Sequence, residues 1–388
     1  MIYDLAIIGA GPAGSAAAKA ASEGGLSVLL LDKAVFPRDK TCGGMLSAKA
    51  LDELGFELPD ELIQHEVHKV RVYGYNLDSS EWDEKRTIGK TVKRRHFDDF
   101  LLHKAIGTGV DFIDGAKLTA IDQNSTGIEI QTSKGCFTAR YAIGADGVFS
   151  PTAALTSIHG RLPAWQMGFT MEAEIHMPVL SRDYGTAEFY FIPFLGGFGW
   201  AFPQKDGYNI GVGCVAWNHK RLTSYFYEFT ERILKHKGIN SPLPKAKGCF
   251  LPAGGIPRRI SKSSIVLAGD AAGFVDPFSG EGIYYALRSG HIAAQTLLEV
   301  IKTGDDWGKT YAHRCAAEFY HDFRLSLLVA LVSGKKTQFQ YDVLKENPSM
   351  VRAIPIIMCQ RHPYDTVLKE NLLPMPSRMF RTLIHKHV

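Results

Sequence analysis

The chain has 388 residues, 45% of them hydrophobic and 22% charged, with a formal net charge of +4. This length is more than one ordinary core needs, the composition is that of a globular protein facing water, and the net charge alone says little; no nucleic-acid partner is expected. The six cysteines, at positions 42, 136, 214, 249, 315 and 359, form no Cys-x-x-Cys pair. This argues against a zinc site, an iron–sulfur cluster or a secreted disulfide framework, and for reduced thiols in a cytoplasmic protein.

In chain order, "MIYDLAIIGAG" has no basic start and carries Asp4, so it does not read as a signal peptide. Leu5 to Ile8 reads as a short buried strand, followed by Gly9-Ala10-Gly11-Pro12-Ala13-Gly14 and an alanine-rich helix. A second apolar run, Val28 to Leu31, ends in Asp32-Lys33. Strand, glycine turn, helix, strand and acid in that order predict a dinucleotide site. Gly9 allows the tight turn, Gly11 lets a pyrophosphate approach the backbone, and Gly14 lets the helix pack on the strand. Free N–H groups at the helix start, including that of Ala13, favour the phosphates. Asp32 lies where a carboxylate accepts hydrogen bonds from a ribose.

The next loop, "FPRDKTCGGMLS", holds a single thiol, Cys42, before Gly43-Gly44. The two glycines let the backbone approach a planar ring. Cys42 is either a packed small residue or a group beside the cofactor that affects turnover. Residues 156–259 read as alternating strands, "GFTMEAEIHM", "AEFYFIP" and "YNIGVGCVAW", which predict an antiparallel sheet with one buried face. Ile265 to Ala268 reads as another buried strand, ending in Gly269-Asp270. A carboxylate at that strand end is placed to bind a polyol such as ribitol. The helix opening at Gly280-Glu281-Gly282 would aim its positive end at a group that becomes anionic on reduction, so the pair of motifs points to FAD. Pro277 and Ile283 belong to the same expected site.

Beyond residue 305 the chain reads as helical, and its apolar stretch Leu325–Val332 is too short to span a bilayer. Residues 351–388 hold six basic against two acidic residues, an excess equal to that of the whole chain. Met379, Phe380, Leu383 and Ile384 fall on one helical face, with Arg378, Arg381 and Lys386 around it. Peripheral membrane contact is one expectation for this segment, and docking on the protein's own body is the other. His65 and His68 flank two residues without a His-Glu-x-x-His pattern, and His385 and His387 read as solvated, so no metal is expected.

The glycine fingerprint, "GADGVFS" at 144–150 and "GDAAGFVDPFSGEGI" at 269–283 resemble the FAD-dependent oxidoreductases of the aromatic hydroxylase fold, which include hydroxylases, halogenases and geranylgeranyl reductases. The resemblance covers about two-thirds of the chain, in separate pieces. It implies that Asp146 lies at the flavin and that Arg94, in "KRRHFDDFLLHKA", lies near the cofactor phosphates. The arginine often found two residues after Ser150 is replaced by Thr152, which weakens a nicotinamide role for that motif. No second glycine-turn nucleotide unit is present, so the reductant is NAD(P)H docking briefly or a separate electron-carrier protein.

"TCGG" resembles the geranylgeranyl reductase branch, where a Cys-Gly pair lies beside the flavin. That branch carries Pro-x-x-Tyr-x-Trp followed by Phe-Pro on its substrate sheet. Phe198 stands here in place of the tyrosine, with Trp200, Phe202 and Pro203 present. The result is an aromatic wall suited to an apolar chain. The halogenase pattern Trp-x-Trp-x-Ile-Pro is approached but lacks its first tryptophan.

The expected architecture is α/β. A discontinuous Rossmann-like FAD-binding domain (1–72, 93–155 and 260–305) carries an inserted antiparallel-sheet substrate domain (73–92 and 156–259) and a helical C-terminal region (306–388). The expected activity is reduction of C=C bonds in a prenyl substrate, with Cys42, Trp200 and Phe198 at the reaction site. The alternatives are an FAD-dependent monooxygenase or halogenase, and an electron-transfer flavoprotein.

Overall fold

The computed structural model describes residues 1–243, 245–332, 337–346, 348–360 and 362–372. The amphipathic segment proposed around Met379 to Ile384 lies outside the described residues.

The expected FAD-binding domain is built on buried apolar runs. Ile2–Ile8 and Val28–Leu31 pair in parallel, with Leu5 opposite Val28, and Ile2–Ile8 pairs in parallel with Gly135–Gly144 on its other side. Ile265–Leu267 continues the sheet beyond Gly135–Gly144, and Asp111–Ile113 closes the opposite edge. Such strands are covered on both faces, which is why they read as continuous apolar runs rather than alternations. Gly135–Gly144 is long enough to serve twice. Its first half pairs antiparallel with Gly127–Thr132, and its last three residues pair with Ile265–Leu267.

Two helices cross closely over this sheet. A Cβ at Gly290, in helix Ile283–Thr303, would stand 2.3 Å from the carbonyl oxygen of Ala13 in helix Pro12–Glu23. Glycine and alanine are what allow the backbones to meet there.

The second sheet has seven strands in the order Lys247–Pro252, Met167–His176, Gly207–Val215, Phe198–Gln204, Thr186–Phe191, Lys69–Tyr73 and Ser79–Asp83. All neighbours are antiparallel except Thr186–Phe191 with Lys69–Tyr73. Arg71 ties that parallel pair, donating from Nη1 to Asp183 Oδ1 at 2.8 Å and Glu188 Oε1 at 3.0 Å. Because Lys69–Tyr73 already belongs to this sheet, the chain leaves the flavin domain before residue 69 rather than at 73. A three-stranded sheet of Met45–Ser47, Gly89–Val92 and Ile63–Val67 stands alongside.

The expectation of one buried face is corrected. Helix His219–Lys237, which the reading of strands alone overlooked, packs Leu222, Phe226, Phe229 and Ile233 against Met171, Ala173, Ile175 and Ile210. Its apolar residues recur at spacings of four, three and four, a helical period that was present in the sequence. The opposite face carries Trp200 and Phe202, which are buried too, and the half-buried Phe198. Helix Trp307–Val332 follows; Tyr311 donates its hydroxyl to the Leu267 carbonyl at 2.8 Å. Among the described residues no helix is long and apolar enough to cross a membrane.

Candidate functional site

The three glycines of the first turn have separate surroundings. Gly9 has φ +108°, and a Cβ there would stand 2.2 Å from the Ala145 carbonyl oxygen. A Cβ at Gly14 would stand 1.8 Å from the Gly9 carbonyl oxygen and 3.3 Å from Ile7 Cγ2. Gly11 faces open space, and the nearest atom to its missing Cβ is Arg38 Nη2, at 3.4 Å. Gly9 and Gly14 therefore make the turn, while Gly11 presents it. Helix Pro12–Glu23 begins there with no side-chain cap, which leaves its first N–H groups for a phosphate. Asp32 is buried at the strand end; its Oδ2 accepts from the Ala10 N–H and its Oδ1 from the Ala34 N–H, both at 2.8 Å. Each oxygen keeps a second lone pair for a ribose hydroxyl.

A cavity of about 1100 Å³ is lined by Gly9, Gly11, Ala13, Asp32 and Lys33, and also by Cys42, Gly43, Gly44, Arg94 and Asp146. Asp270, Pro277, Gly280, Gly282 and Ile283 line it as well, together with Phe198 and Trp200. Gly14 and Gly269 do not. Gly269 stands behind the wall, where its missing Cβ would be 3.1 Å from Ala13 Cβ and its N–H donates to Ser289 Oγ at 2.9 Å. The loop carrying Pro277 and Gly280 is fixed from below. Asp276 accepts from the Phe278 and Ser279 N–H groups, from Ser326 Oγ at 2.7 Å and from Tyr364 Oη at 2.9 Å. The C-terminal helices thus shape the flavin loop. Helix Ile283–Thr303 opens on this cavity without a side-chain cap.

The Cys42 loop is where the two domains meet. A Cβ at Gly43 would stand 2.9 Å from Trp200 Nε1 and 3.0 Å from Phe202 Cε2. Gly44 has φ +74°, and its missing Cβ would lie 2.1 Å from the Val92 carbonyl oxygen. The planar ring that requires Gly43 is therefore the indole of Trp200, with Phe202 beside it. Trp200 in turn lies flat over Gly211, and Phe198 approaches Gly280, whose missing Cβ would be 3.3 Å from its ring.

Arg94 is buried and binds Asp98 through both Nε (2.7 Å) and Nη2 (2.8 Å). Burial opposes its charge, but Asp98 and the Cys42 sulfur beside it hold the guanidinium well above its usual range. The guanidinium standing over the glycine turn is instead that of Arg38, 3.1 Å from Asp98 Oδ2. Lys40 lies in the same wall, donating to Cys249 Sγ at 3.1 Å. Burial pulls its pKa down, but Asp270 and Cys249 outweigh that and raise it.

Asp146 turns inward. Its carboxylate accepts from the Ser150 hydroxyl and from the Thr152 N–H (2.8 Å) and Oγ1 (2.7 Å), and burial raises its pKa against those bonds. Thr152 is fully buried, so its position has no room for an arginine.

Reading the sequence alone missed Arg38, Lys40, Asn209 and Glu172. Glu172 is buried, lines the cavity, and accepts the Cys42 N–H through Oε1 at 2.7 Å. Burial is the main cause raising its pKa to about 7; Cys42, Asn209 and Arg94 oppose the rise. One signal was available. In Met167–His176, Met171, Ala173 and Ile175 face the helix-covered core, so alternation turns Glu172 toward the flavin domain.

The residues fit FAD. An open glycine face, an uncapped helix start, a strand-end carboxylate and a second uncapped helix all border one cavity. Residues 3–318 match the family described as FAD binding domain. The chain is 32% identical over 356 residues to a menaquinone reductase of Mycobacterium tuberculosis, covering 84% of each chain. It is 29% identical over 365 residues to digeranylgeranylglycerophospholipid reductase 2 of Methanopyrus kandleri, covering 89% of this chain and 90% of that one. Its fold matches the crystal structure of a geranylgeranyl bacteriochlorophyll reductase-like protein of Thermoplasma acidophilum, with a TM-score of 0.81 and 24% identity over 95% and 98% of the two chains. The chain is an FAD-dependent oxidoreductase that belongs to the FAD binding domain family and is closely related within it to geranylgeranyl reductase-like proteins.

Proposed function

We propose that this protein hydrogenates isolated C=C bonds of a prenyl substrate. One observation carries the reading: the aromatic strand Phe198–Gln204 and the flavin turn line the same cavity. Phe189, Phe198, Trp200 and Phe202, with Leu327, Ile354 and Ile357, give that cavity an apolar side for a hydrocarbon chain. The relative named for a digeranylgeranyl lipid supports the same substrate class.

Gly9, Gly11, Ala13 and Arg38 would hold the pyrophosphate, Asp32 the ribose, and Asp270 the ribitol. Gly282 and Ile283, at the start of the long helix, would face the isoalloxazine. When bound and reduced, FAD supplies a hydride. The chain's own residues do the rest. The aromatic wall holds the alkene and excludes water, and the Cys42 loop closes the cavity where the domains meet. An unactivated alkene accepts hydride poorly, so alignment and a placed proton must lower much of the barrier. The reductant is NAD(P)H docking briefly or an electron-carrier protein.

The test is anaerobic incubation of the chemically reduced holoenzyme with a panel of prenyl lipids, read by mass spectrometry. The expected result is a gain of two hydrogens per bond reduced. Products that form only when oxygen is admitted would replace this reading with a monooxygenase or halogenase.

A further inference from the structure

We infer that the Glu172 carboxyl supplies the proton that completes alkene reduction, held in the cavity wall by the Cys42 N–H. The inference rests on the reductase reading above and names the acid that it requires.

The geometry is that of a held acid. Glu172 Oε1 accepts the Cys42 N–H at 2.7 Å. The Asn209 side chain stands beside Glu172 and favours its carboxylate, while Asn209 Oδ1 accepts the Trp200 Nε1–H at 2.8 Å. One amide thus stands between the carboxyl and the indole of the aromatic wall. Glu172 lies where the loop, the wall and the cavity come together, and it is only 8% exposed. Among the described residues no Lys or Arg forms an ion pair with it.

The charged and titratable groups around it are few. Arg94 stands beyond Cys42 and favours the carboxylate, while Glu174 on the same strand disfavours it. Lys247 is its register partner on the next strand, but its side chain is exposed and 3.5 Å from Asp39. Lys40 is engaged with Cys249. Burial prevails, and the pKa near neutrality lets the group both give and regain a proton at neutral pH.

Glu172 gives its proton to one alkene carbon, and a hydride from the reduced flavin bonds to the other. The π pair of the alkene becomes the C–H bond to that proton. The alkene gains two electrons, which the flavin loses. Glu172 is left as a carboxylate and takes a proton back from water.

Glu172→Gln is the discriminating variant. Gln keeps an oxygen to accept the Cys42 N–H but has no proton to give. Three measurements are made: FAD content, the rate of alkene reduction against pH, and infrared difference spectra of the apoprotein between about pH 5 and about pH 9. We expect FAD content as in the wild type and a rate lower by at least about 100-fold. The wild-type rate should fall as pH rises through neutrality. A carboxyl band titrating over the same range should be missing from E172Q. An E172Q enzyme that works at the wild-type rate with the same pH fall, or an unchanged infrared titration, overturns the inference and leaves the reductase reading standing. A wild-type enzyme that shows the band but reduces no prenyl alkene overturns both. If E172Q does not fold, Glu172→Asp keeps the acid; the midpoint of its rate profile must then move with that of its carboxyl band, and a rate midpoint that stays put overturns the inference.

Discussion

The two ends of the cavity are made in different ways. The flavin end is mostly backbone: Gly9 to Gly14 in one turn, the loop before Gly280, and two helices that start without side-chain caps. The aromatic end is almost all side chain, with Phe198, Trp200, Phe202, Asn209 and Glu172 brought together by strand register. Backbone sites tolerate few residue types but need only short contiguous motifs. Side-chain sites accept many types, and their membership depends on which strand lies beside which. The first kind preserves a cofactor, and the second can change substrate by changing a few residues.

If the flavin end is backbone, its glycines should fail in different ways. Gly14→Val should give no folded protein, because the new Cβ would overlap the Gly9 carbonyl. Gly11→Val meets only the tip of a flexible arginine, so the protein should fold with a circular dichroism spectrum like that of the wild type. Its FAD affinity should fall by about 1000-fold, or about 4 kcal/mol. Isothermal titration of the apoprotein with FAD and FMN measures this. A Gly11→Val protein that binds FAD normally would show that the phosphates lie elsewhere.

The aromatic end should instead carry a cost in stability. The ordinary glutamate pKa is 4.5, and that of folded Glu172 is about 7. Below the ordinary value both states are protonated. Between the two values the folded state binds the extra proton, so this group's contribution is lost as pH rises, and above pH 7 the full penalty stands. A shift of this size corresponds to about 3 kcal/mol. Glu172→Gln should therefore match the wild type near pH 4 and exceed it by about 3 kcal/mol near pH 8 in urea unfolding. Equal stability at both pH values would mean that water reaches the carboxyl in the cavity.

Cys42 sits on the seam between the two ends. Cys42→Ala keeps the backbone N–H that Glu172 accepts and removes only the sulfur beside Arg94. FAD content should stay normal, while alkene reduction should fall by about tenfold, less than in Glu172→Gln, because the acid keeps its backbone partner. Full turnover would assign the sulfur to packing alone.

What was legible in the sequence follows the same division. The glycine turn, Asp32 and the 269–283 loop were read as one site because each is a short contiguous signal. The aromatic wall was read because three aromatic residues alternate on one strand. Helix His219–Lys237 was lost among its flanking strands despite its period. Glu172 and Asn209 could not be joined to Cys42 from sequence, since 130 residues separate Glu172 from Cys42. Their meeting depends on strand Gly207–Val215 lying between Met167–His176 and Phe198–Gln204. Gly43 was read as making room for a planar ring, and the indole of Trp200 stands where its Cβ would be.

The smallest effect concerns the two arginines, which sequence could not rank. Asp98 is fully buried and is held by both, bidentately by Arg94 and through one nitrogen by Arg38. Removing Arg94 would leave a buried carboxylate with one exposed-side partner and should destabilise the fold by about 3 kcal/mol. Removing Arg38 leaves Asp98 bound by Arg94, so Arg38→Ala should unfold close to the wild-type midpoint. Its guanidinium is nonetheless the group nearest to the open face of Gly11 and lies 5.0 Å from the Phe36 ring. A phosphate resting on that face would lose one charge-assisted partner. FAD affinity in Arg38→Ala should therefore drop about tenfold, or about 1.4 kcal/mol, and Arg38→Lys should recover only part of it, because an ammonium cannot reproduce the planar fork. If Arg38→Ala binds FAD as tightly as the wild type while a folded Arg94→Lys protein binds it weakly, the phosphate contact belongs to Arg94 and the turn is approached from the other side.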